Sequence, residues 1–149
     1  MNNLFNANDI SKILERIEKL SPKSQRQWGK MNPAQMLAHC NIAVETATGE
    51  KKLKRIFAGY IIGSLIKKKV LDEKPFRKNS PTDKSYIFPD NLNFTEEKTK
   101  LINTIKRFQE GGPEKCTIHP HPFFGKYKPQ QWAILQWKHL DHHLRQFNA

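Results

Sequence analysis

Residues 129–147, with the sequence PQQWAILQWKHLDHHLRQF, carry the clearest helical pattern in the chain. A proline suits the first turn of a helix, and apolar residues then recur at helical spacing. With successive residues about 100° apart, one inward arc collects Trp132, Leu135, Gln136, His139, His143, Gln146 and Phe147. The other side holds Lys138, Asp141 and Arg145, which we expect to face solvent. The segment is therefore predicted to be an amphipathic helix.

Two histidines of this arc are separated by four residues. On a helix this spacing places the Cβ atoms of His139 and His143 about 5–6 Å apart on one face, so both rings can reach one metal ion. The neighbouring His142 falls outside the arc. The pattern thus separates two candidate metal ligands from a third imidazole beside them.

A second helix is predicted to carry His39. Asn32 is a suitable N-cap and Pro33 a suitable first residue, and we expect the helix to continue to about Thr48. His39 shares a stripe of this helix with Met36, Ile42, Ala43 and Thr46. If the two helices face each other, three imidazoles can hold one divalent metal ion. The alternative is that each histidine is a hydrogen-bonded residue of the core.

The remaining chain predicts three more helices and long loops. One helix is capped at Asn8–Asp9 and ends at Ser21–Pro22, one covers roughly Leu53 to Val70, and one opens at Asn93 or Thr95 and ends near Gln109. The proline-containing stretch from Asp72 to Asn93 suits an irregular excursion. No run of alternating strands is present. We expect an all-α protein, an antiparallel four-helix bundle with an extra helix and long loops, in which residues 1–149 form a single domain.

The chain is strongly basic, which favours anionic partners. Lys and Arg outnumber Asp and Glu by 26 to 14 in 149 residues, a formal net charge of +12. The charge is partly clustered, at residues 51–55 and 67–69. A non-catalytic binding module for nucleic acid or an acidic lipid surface is therefore an alternative function. Nucleic acid is the less favoured partner, because no helix-turn-helix spacing, zinc-finger pattern or basic stripe with interleaved aromatics is present.

Targeting and membrane signals are weak. The first residues lack a basic start and an apolar core, so no export is expected and the predicted location is cytoplasmic. The apolar run from Ile56 to Ile66 is far below the ~20 residues that span a bilayer. With basic residues on both sides, this run could lie on an anionic membrane surface or form a buried helix of the bundle. The two cysteines, Cys40 and Cys116, are too few for a disulfide framework.

Three segments together are similar to a known group. These are residues 28–39, WGKMNPAQMLAH, residues 121–126, HPFFGK, and the segment around His139. They resemble the DinB-like (YfiT-like) metalloenzyme superfamily, in a branch of unassigned function. The resemblance implies a four-helix bundle that binds a divalent metal ion, often zinc or nickel, and it assigns His39, His139 and His143 as the ligands. The superfamily's common ending is matched at His142, His143 and Gln146 but not at Leu144 and Arg145.

The resemblance also implies an activity. Members include metal-dependent hydrolases and thiol-dependent S-transferases, so we expect an enzyme acting on a small molecule, with a low-molecular-weight thiol as one candidate partner and a homodimer as the candidate assembly. The open coordination position is expected to face a pocket between the 72–93 excursion and the 121–126 loop. Trp28, His121 and Gln146 are further candidates for lining that pocket. His121 has a simpler alternative role, a hydrogen bond within its own loop.

Overall fold

The computed structural model describes residues 1–149 and is entirely helical. Five helices follow one another along the chain: α1 (Ala7–Glu18), α2 (Pro33–Thr48), α3 (Phe57–Val70), α4 (Phe94–Gly111) and α5 (Pro129–Gln146). Single turns of 3-10 helix lie at Lys84–Tyr86 and Pro113–Lys115. No strand is formed, and one isolated bridge joins His121 to Gly125. The all-helical prediction is confirmed.

Four helices surround the hydrophobic core, and α3 is not among them. Helix α2 packs against α4 and α5, and α1 packs against the same two helices. Helix α2 is the most enclosed of the four, with thirteen of its sixteen residues buried. Large side chains without solvent exposure fill the space between the helices, among them Ile13, Leu37, Ile105 and Trp132. Because α2 and α5 contact each other, the histidines on their facing sides are brought together.

Local signals fix both ends of α2 as the sequence predicts. The Asn32 side chain accepts a hydrogen bond from the Gln35 backbone N–H at 2.8 Å, and the Gln35 side chain accepts one from the Asn32 N–H at 2.9 Å. This reciprocal pair satisfies two amide groups that have no partner inside the helix. At the other end Gly49 has φ +82°, the left-handed conformation that glycine adopts at little cost.

The caps of α1 and α4 refine the predicted boundaries. Helix α1 is capped by Asn6, whose side chain accepts from the Asp9 N–H at 3.1 Å, so the predicted cap at Asn8–Asp9 is wrong. Asp9 instead lies in the first turn and accepts from the Asn3 N–H. For α4 the cap is Asn93, one of the two residues predicted. In both cases an asparagine outside the apolar repeat provides the cap.

Helix α3 differs most from expectation. It begins at Phe57 rather than Leu53, and it lies on the loop that contains Phe123 instead of joining the four-helix core. Its only buried residues are Gly59 and Gly63. Of the two alternatives for this segment, the buried bundle helix is therefore wrong.

No helix combines the length and apolar character that a membrane crossing needs.

The expected solvent face of α5 is largely covered. Lys138 is buried, and its ammonium group donates to the carbonyl oxygens of Val70, at 2.7 Å, and Asp72 in place of water. Asp141 is buried between Arg16, at 2.7 Å, and Arg145, at 3.0 Å. Only Arg145 remains exposed as predicted. The helical wheel assigned this face from charge alone, whereas elements from elsewhere in the chain cover it and neutralise its charges.

Candidate metal centre

Three histidine rings converge where α2 faces α5. The ring centroids of His39, His139 and His143 lie 4.6 to 4.8 Å apart. One ring nitrogen from each lies within 4.8 Å of the others, an arrangement that could hold a metal ion. His39 and His143 are buried, and His139 is partly exposed. The structure thus brings together the three histidines selected from the sequence.

A loop carbonyl orients His39. Its Nδ1 lies 3.1 Å from the backbone oxygen of Tyr86, and since a carbonyl oxygen only accepts, Nδ1 carries the hydrogen. The other nitrogen, Nε2, then has a free lone pair directed at the other two rings. The loop is itself attached to the start of α2, because the side chains of Gln35 and Asn32 donate to the carbonyl oxygens of Phe88 and Asp90 at 2.8 and 3.0 Å.

A glutamine orients His143. Its Nδ1 donates to Gln146 Oε1 at 2.8 Å, and Gln146 Nε2 donates in turn to the carbonyl oxygen of Trp28 at 2.7 Å. Gly29, at φ +76°, leaves room for this amide, since a Cβ there would lie 2.5 Å from Gln146 Nε2. Histidines that bind metals commonly donate their second N–H to such an acceptor, which fixes the ring and leaves Nε2 as the ligand atom.

His139 occupies the position between the other two rings. Its Nε2 lies 2.9 Å from Nε2 of His39, and its Nδ1 is buried without a hydrogen-bond partner. With the hydrogen of His139 on Nε2, this contact is an N–H···N hydrogen bond in which His39 accepts, and a metal ion bound by all three rings would take the place of that hydrogen. The donor set therefore fits a metal ion: three imidazole nitrogens converge, and two of the rings are fixed from behind.

The site disfavours protonation. Burial lowers the pKa of all three histidines, that of His143 to about 3, and for His139 and His143 the neighbouring imidazoles lower it further. The Tyr86 and Gln146 hydrogen bonds oppose this shift at His39 and His143. No carboxylate contributes to any of these shifts. The rings are therefore neutral near pH 7, the form in which imidazole binds metals.

The remaining histidines have other surroundings. His142 lies outside the triad, with its ring 5.5 Å from Trp28 and 5.9 Å from Phe76. His121 accepts hydrogen bonds from the backbone N–H groups of Phe123 and Phe124 at 3.1 and 3.2 Å, the within-loop role predicted as its alternative. Burial and the nearby Arg55 lower its pKa to about 3. His119 is exposed.

The cysteines are not part of the cluster. Cys40 is fully buried, and its thiol donates to the sulfur of Met36 at 3.7 Å. Burial raises the pKa of both thiols, that of Cys116 to about 11, which disfavours the thiolate that would bind a metal ion. The three imidazoles therefore have no sulfur ligand among them.

Two cavities are present, and no triad ring lines either of them. One of about 280 Å³ is lined by residues of the excursion and of α5, including Phe76 and His142. The other, of about 220 Å³, is lined mainly by basic and polar residues, including Thr46 and Arg55. The expected pocket at the open coordination position stays a prediction.

The family comparison covers almost the whole chain. Residues 3–149 match the family described as Protein of unknown function (DUF1569). The chain belongs to this family. The comparisons with curated proteins and with solved structures give no match. Nothing in them links the DUF1569 chain to the DinB-like superfamily, so that relationship rests on the sequence resemblance alone.

Two hydrogen-bond acceptors of the triad were not predicted from the sequence. The Tyr86 carbonyl is a main-chain group, and no side-chain pattern points to it. Gln146 was selected as a pocket residue, but its observed contact is with the back of the His143 ring. Its spacing of three residues from His143 on one helix face was the available signal.

Proposed function

We propose that this DUF1569 protein is a divalent-metal-dependent enzyme of the DinB-like superfamily, with His39, His139 and His143 as its protein ligands. One observation carries the proposal: three neutral imidazoles converge, and the outer nitrogens of two of them are held by oxygen acceptors. The third ring also directs its Nε2 inward, 2.9 Å from Nε2 of His39, while its Nδ1 has no partner. We expect zinc or nickel, because imidazole suits both ions.

The chemistry follows from an incomplete ligand set. A divalent ion held by three imidazoles keeps an open position, where it lowers the pKa of a bound water or thiol. This fits a hydrolase, or an S-transferase that uses a low-molecular-weight thiol. The two acidic residues closest in sequence are engaged elsewhere, since Asp141 pairs with Arg16 and Glu45 accepts from Asn41 at 2.8 Å. The proposed ligands are therefore all neutral, and no carboxylate among them offsets the positive charge of the ion.

Metal content of protein purified without a histidine tag tests the proposal. We expect about one divalent ion per chain in the wild type, and a severe loss in His39→Ala, His139→Ala and His143→Ala, because each removes one of three ligands. His142→Ala, a neighbour on the same helix turn, is the matched control and should keep the metal. Equal metal content in all five proteins would contradict the site.

A cobalt-substituted sample tests the open position. Visible absorption should report nitrogen and oxygen ligation without sulfur, and it should change when a small thiol is added. A thiol-insensitive, four-coordinate spectrum would turn the proposed enzyme into a protein with a structural metal.

A further inference from the structure

Helix α3 is attached to the protein by its smallest residues. A Cβ added at Gly59 or Gly63 would collide with the backbone oxygen of Phe123, so these glycines let the helix lie directly on the loop backbone. The loop is fastened to the segment before α3, since the Ile56 N–H donates to Pro122 O at 2.9 Å and Arg55 donates to His121 O at 2.9 Å. The glycine face is thus the inner face of α3.

The outer face of α3 is apolar and uncovered. Phe57, Ile61 and Leu65 follow one another at four-residue intervals and are 79, 69 and 62% exposed. Tyr60 and Ile62 flank this stripe at 67 and 43% exposure. Single exposed apolar side chains are ordinary, but a row of large ones on one helix marks a binding surface. We call these five residues the α3 apolar face.

Basic residues bound the α3 apolar face at both ends. Lys51, Lys52 and Lys54 precede the helix and are exposed, and Lys68 and Lys69 form its exposed last turn. The single acidic residue between positions 50 and 70 is Glu50, which pairs with Arg107 at 2.9 Å. An occupant of this surface must therefore be apolar in the middle and anionic at the edges.

We propose that the α3 apolar face binds the surface of an anionic membrane. In-plane binding places large apolar side chains at the boundary between headgroups and acyl chains while lysines contact acidic headgroups. With fourteen residues at about 1.5 Å each, α3 is too short to span a bilayer and suits a position parallel to it. The glycine face meanwhile keeps the helix on the protein.

Two other occupants fit less well. A second copy would meet the same face about a two-fold axis, and an antiparallel pair of α3 helices would bring Lys67–Lys69 towards Lys51–Lys54 of the other copy. Nucleic acid would match the lysines, but its backbone offers no apolar surface to cover Ile61 and Leu65. Acidic lipid provides both components.

Co-sedimentation of the full-length protein with vesicles tests this surface. We expect binding to phosphatidylcholine vesicles that contain about one third phosphatidylglycerol, weak binding to phosphatidylcholine alone, and a decrease with added salt. Ile61→Asp should weaken binding by about tenfold or more, since it puts a charge in the apolar centre. Ile87→Asp, at an isoleucine of similar exposure (64%) outside α3, should bind like the wild type.

Two double substitutions that change the net charge equally separate the effect of the lysines beside the α3 apolar face from that of the protein's total charge. Lys68→Glu combined with Lys69→Glu should weaken vesicle binding by about tenfold or more, because each lysine near an anionic surface contributes about a fivefold factor. Lys12→Glu combined with Lys19→Glu, at exposed positions on and just after α1, changes the net charge equally and should have a smaller effect.

Three results would overturn the proposal. One is no preference for anionic vesicles. Another is a concentration-dependent dimer that Ile61→Asp abolishes, which would show that a second copy of the chain binds the α3 apolar face. The third is binding to a nucleic-acid duplex that depends on Lys68 and Lys69 but not on Ile61. All variants replace exposed side chains, so unchanged unfolding midpoints are expected and are measured alongside.

Discussion

Helices α5 and α3 each carry an apolar stripe, and they have opposite surroundings. Helix α5 buries large side chains such as Trp132 and Leu140 and also encloses the charged Lys138 and Asp141. Helix α3 buries two glycines and leaves Ile61 and Leu65 in solvent. The stripe therefore does not by itself decide which face is buried. The neighbours decide, since α5 lies against α1 and α2, whereas the middle of α3 lies on a loop that its glycines approach closely and its last residue, Val70, contacts Lys138 of α5.

A pair of leucine-to-alanine substitutions offers the strongest test of this contrast. Leu140 is 1% exposed and Leu65 is 62% exposed. We expect Leu140→Ala to lower the free energy of unfolding by about 2–5 kcal/mol, because it leaves a cavity. Leu65→Ala should change it by less than about 0.5 kcal/mol. Urea denaturation measures both, and a comparable loss at Leu65 would show that the outer face of α3 is covered in the isolated protein.

A second pair of substitutions, at two buried glutamines of α5, tests the role of polar side chains inside the bundle. Gln146 and Gln136 are 2% and 1% exposed, but only Gln146 orients a triad ring, and Oε1 of Gln136 has no partner. Gln146→Leu should weaken metal binding by about 10- to 100-fold, the usual effect of losing a partner behind a ligand. Gln136→Leu should leave it unchanged. Competition with a chromogenic chelator gives the affinities, and equal losses would mean that the Gln146 contact does not position His143.

The loop of residues 121–126, which contacts both α3 and α5, should make the stability of the protein depend on pH. Its His121 lies 5.6 Å from the Trp132 ring, and burial lowers the His121 pKa from 6.5 to about 3. Between these values the unfolded chain binds a proton that the folded chain does not, so stability falls as the pH drops below 6.5. From pH 7 to 5, the metal-free wild type should lose about 2 kcal/mol more than His121→Gln.

Urea titrations in the presence of a chelator measure this difference. The control is His119→Gln, at an exposed histidine two residues away, which should follow the wild type. Parallel pH profiles for the wild type and His121→Gln would show that this ring takes up a proton without opening the loop.

The smallest expected effect concerns the attachment of α3. Gly63→Ala would place a methyl group against the Phe123 carbonyl, so α3 should separate from the loop. Amide exchange over residues 57–70 should become faster, while the global unfolding free energy changes by less than about 1 kcal/mol. Ser64→Ala, at the exposed neighbouring position, should slow exchange slightly or leave it unchanged. Unaltered exchange in Gly63→Ala would mean that the glycine contact does not hold the helix.

Features that depend on neighbouring residues were predictable from the sequence. The caps of α2, its proline start and its glycine end are signals within a few positions, and the structure forms all of them. The spacing of His139 and His143 is equally local, and Asn32 and Pro33 locate the start of the helix that carries His39. These predictions needed no knowledge of tertiary contacts.

Features that depend on distant residues were not predictable. The burial of Lys138 requires carbonyl groups at the end of α3, and that of Asp141 requires Arg16, more than a hundred residues earlier in the chain. The exposure of α3 depends on which element it meets, and periodicity carries no such information. In each case the sequence shows which residues are charged or apolar. Whether they are buried or exposed depends on residues elsewhere in the chain.

The acceptor that orients His39 belongs to the main chain at position 86, and this has an evolutionary consequence. Any amino acid at that position supplies a carbonyl oxygen, so point substitutions there do not remove the acceptor itself. An insertion or deletion between residues 72 and 93 would move it away from the ring. Among related chains we therefore expect the length of this segment to be under tighter selection than the identity of its residues.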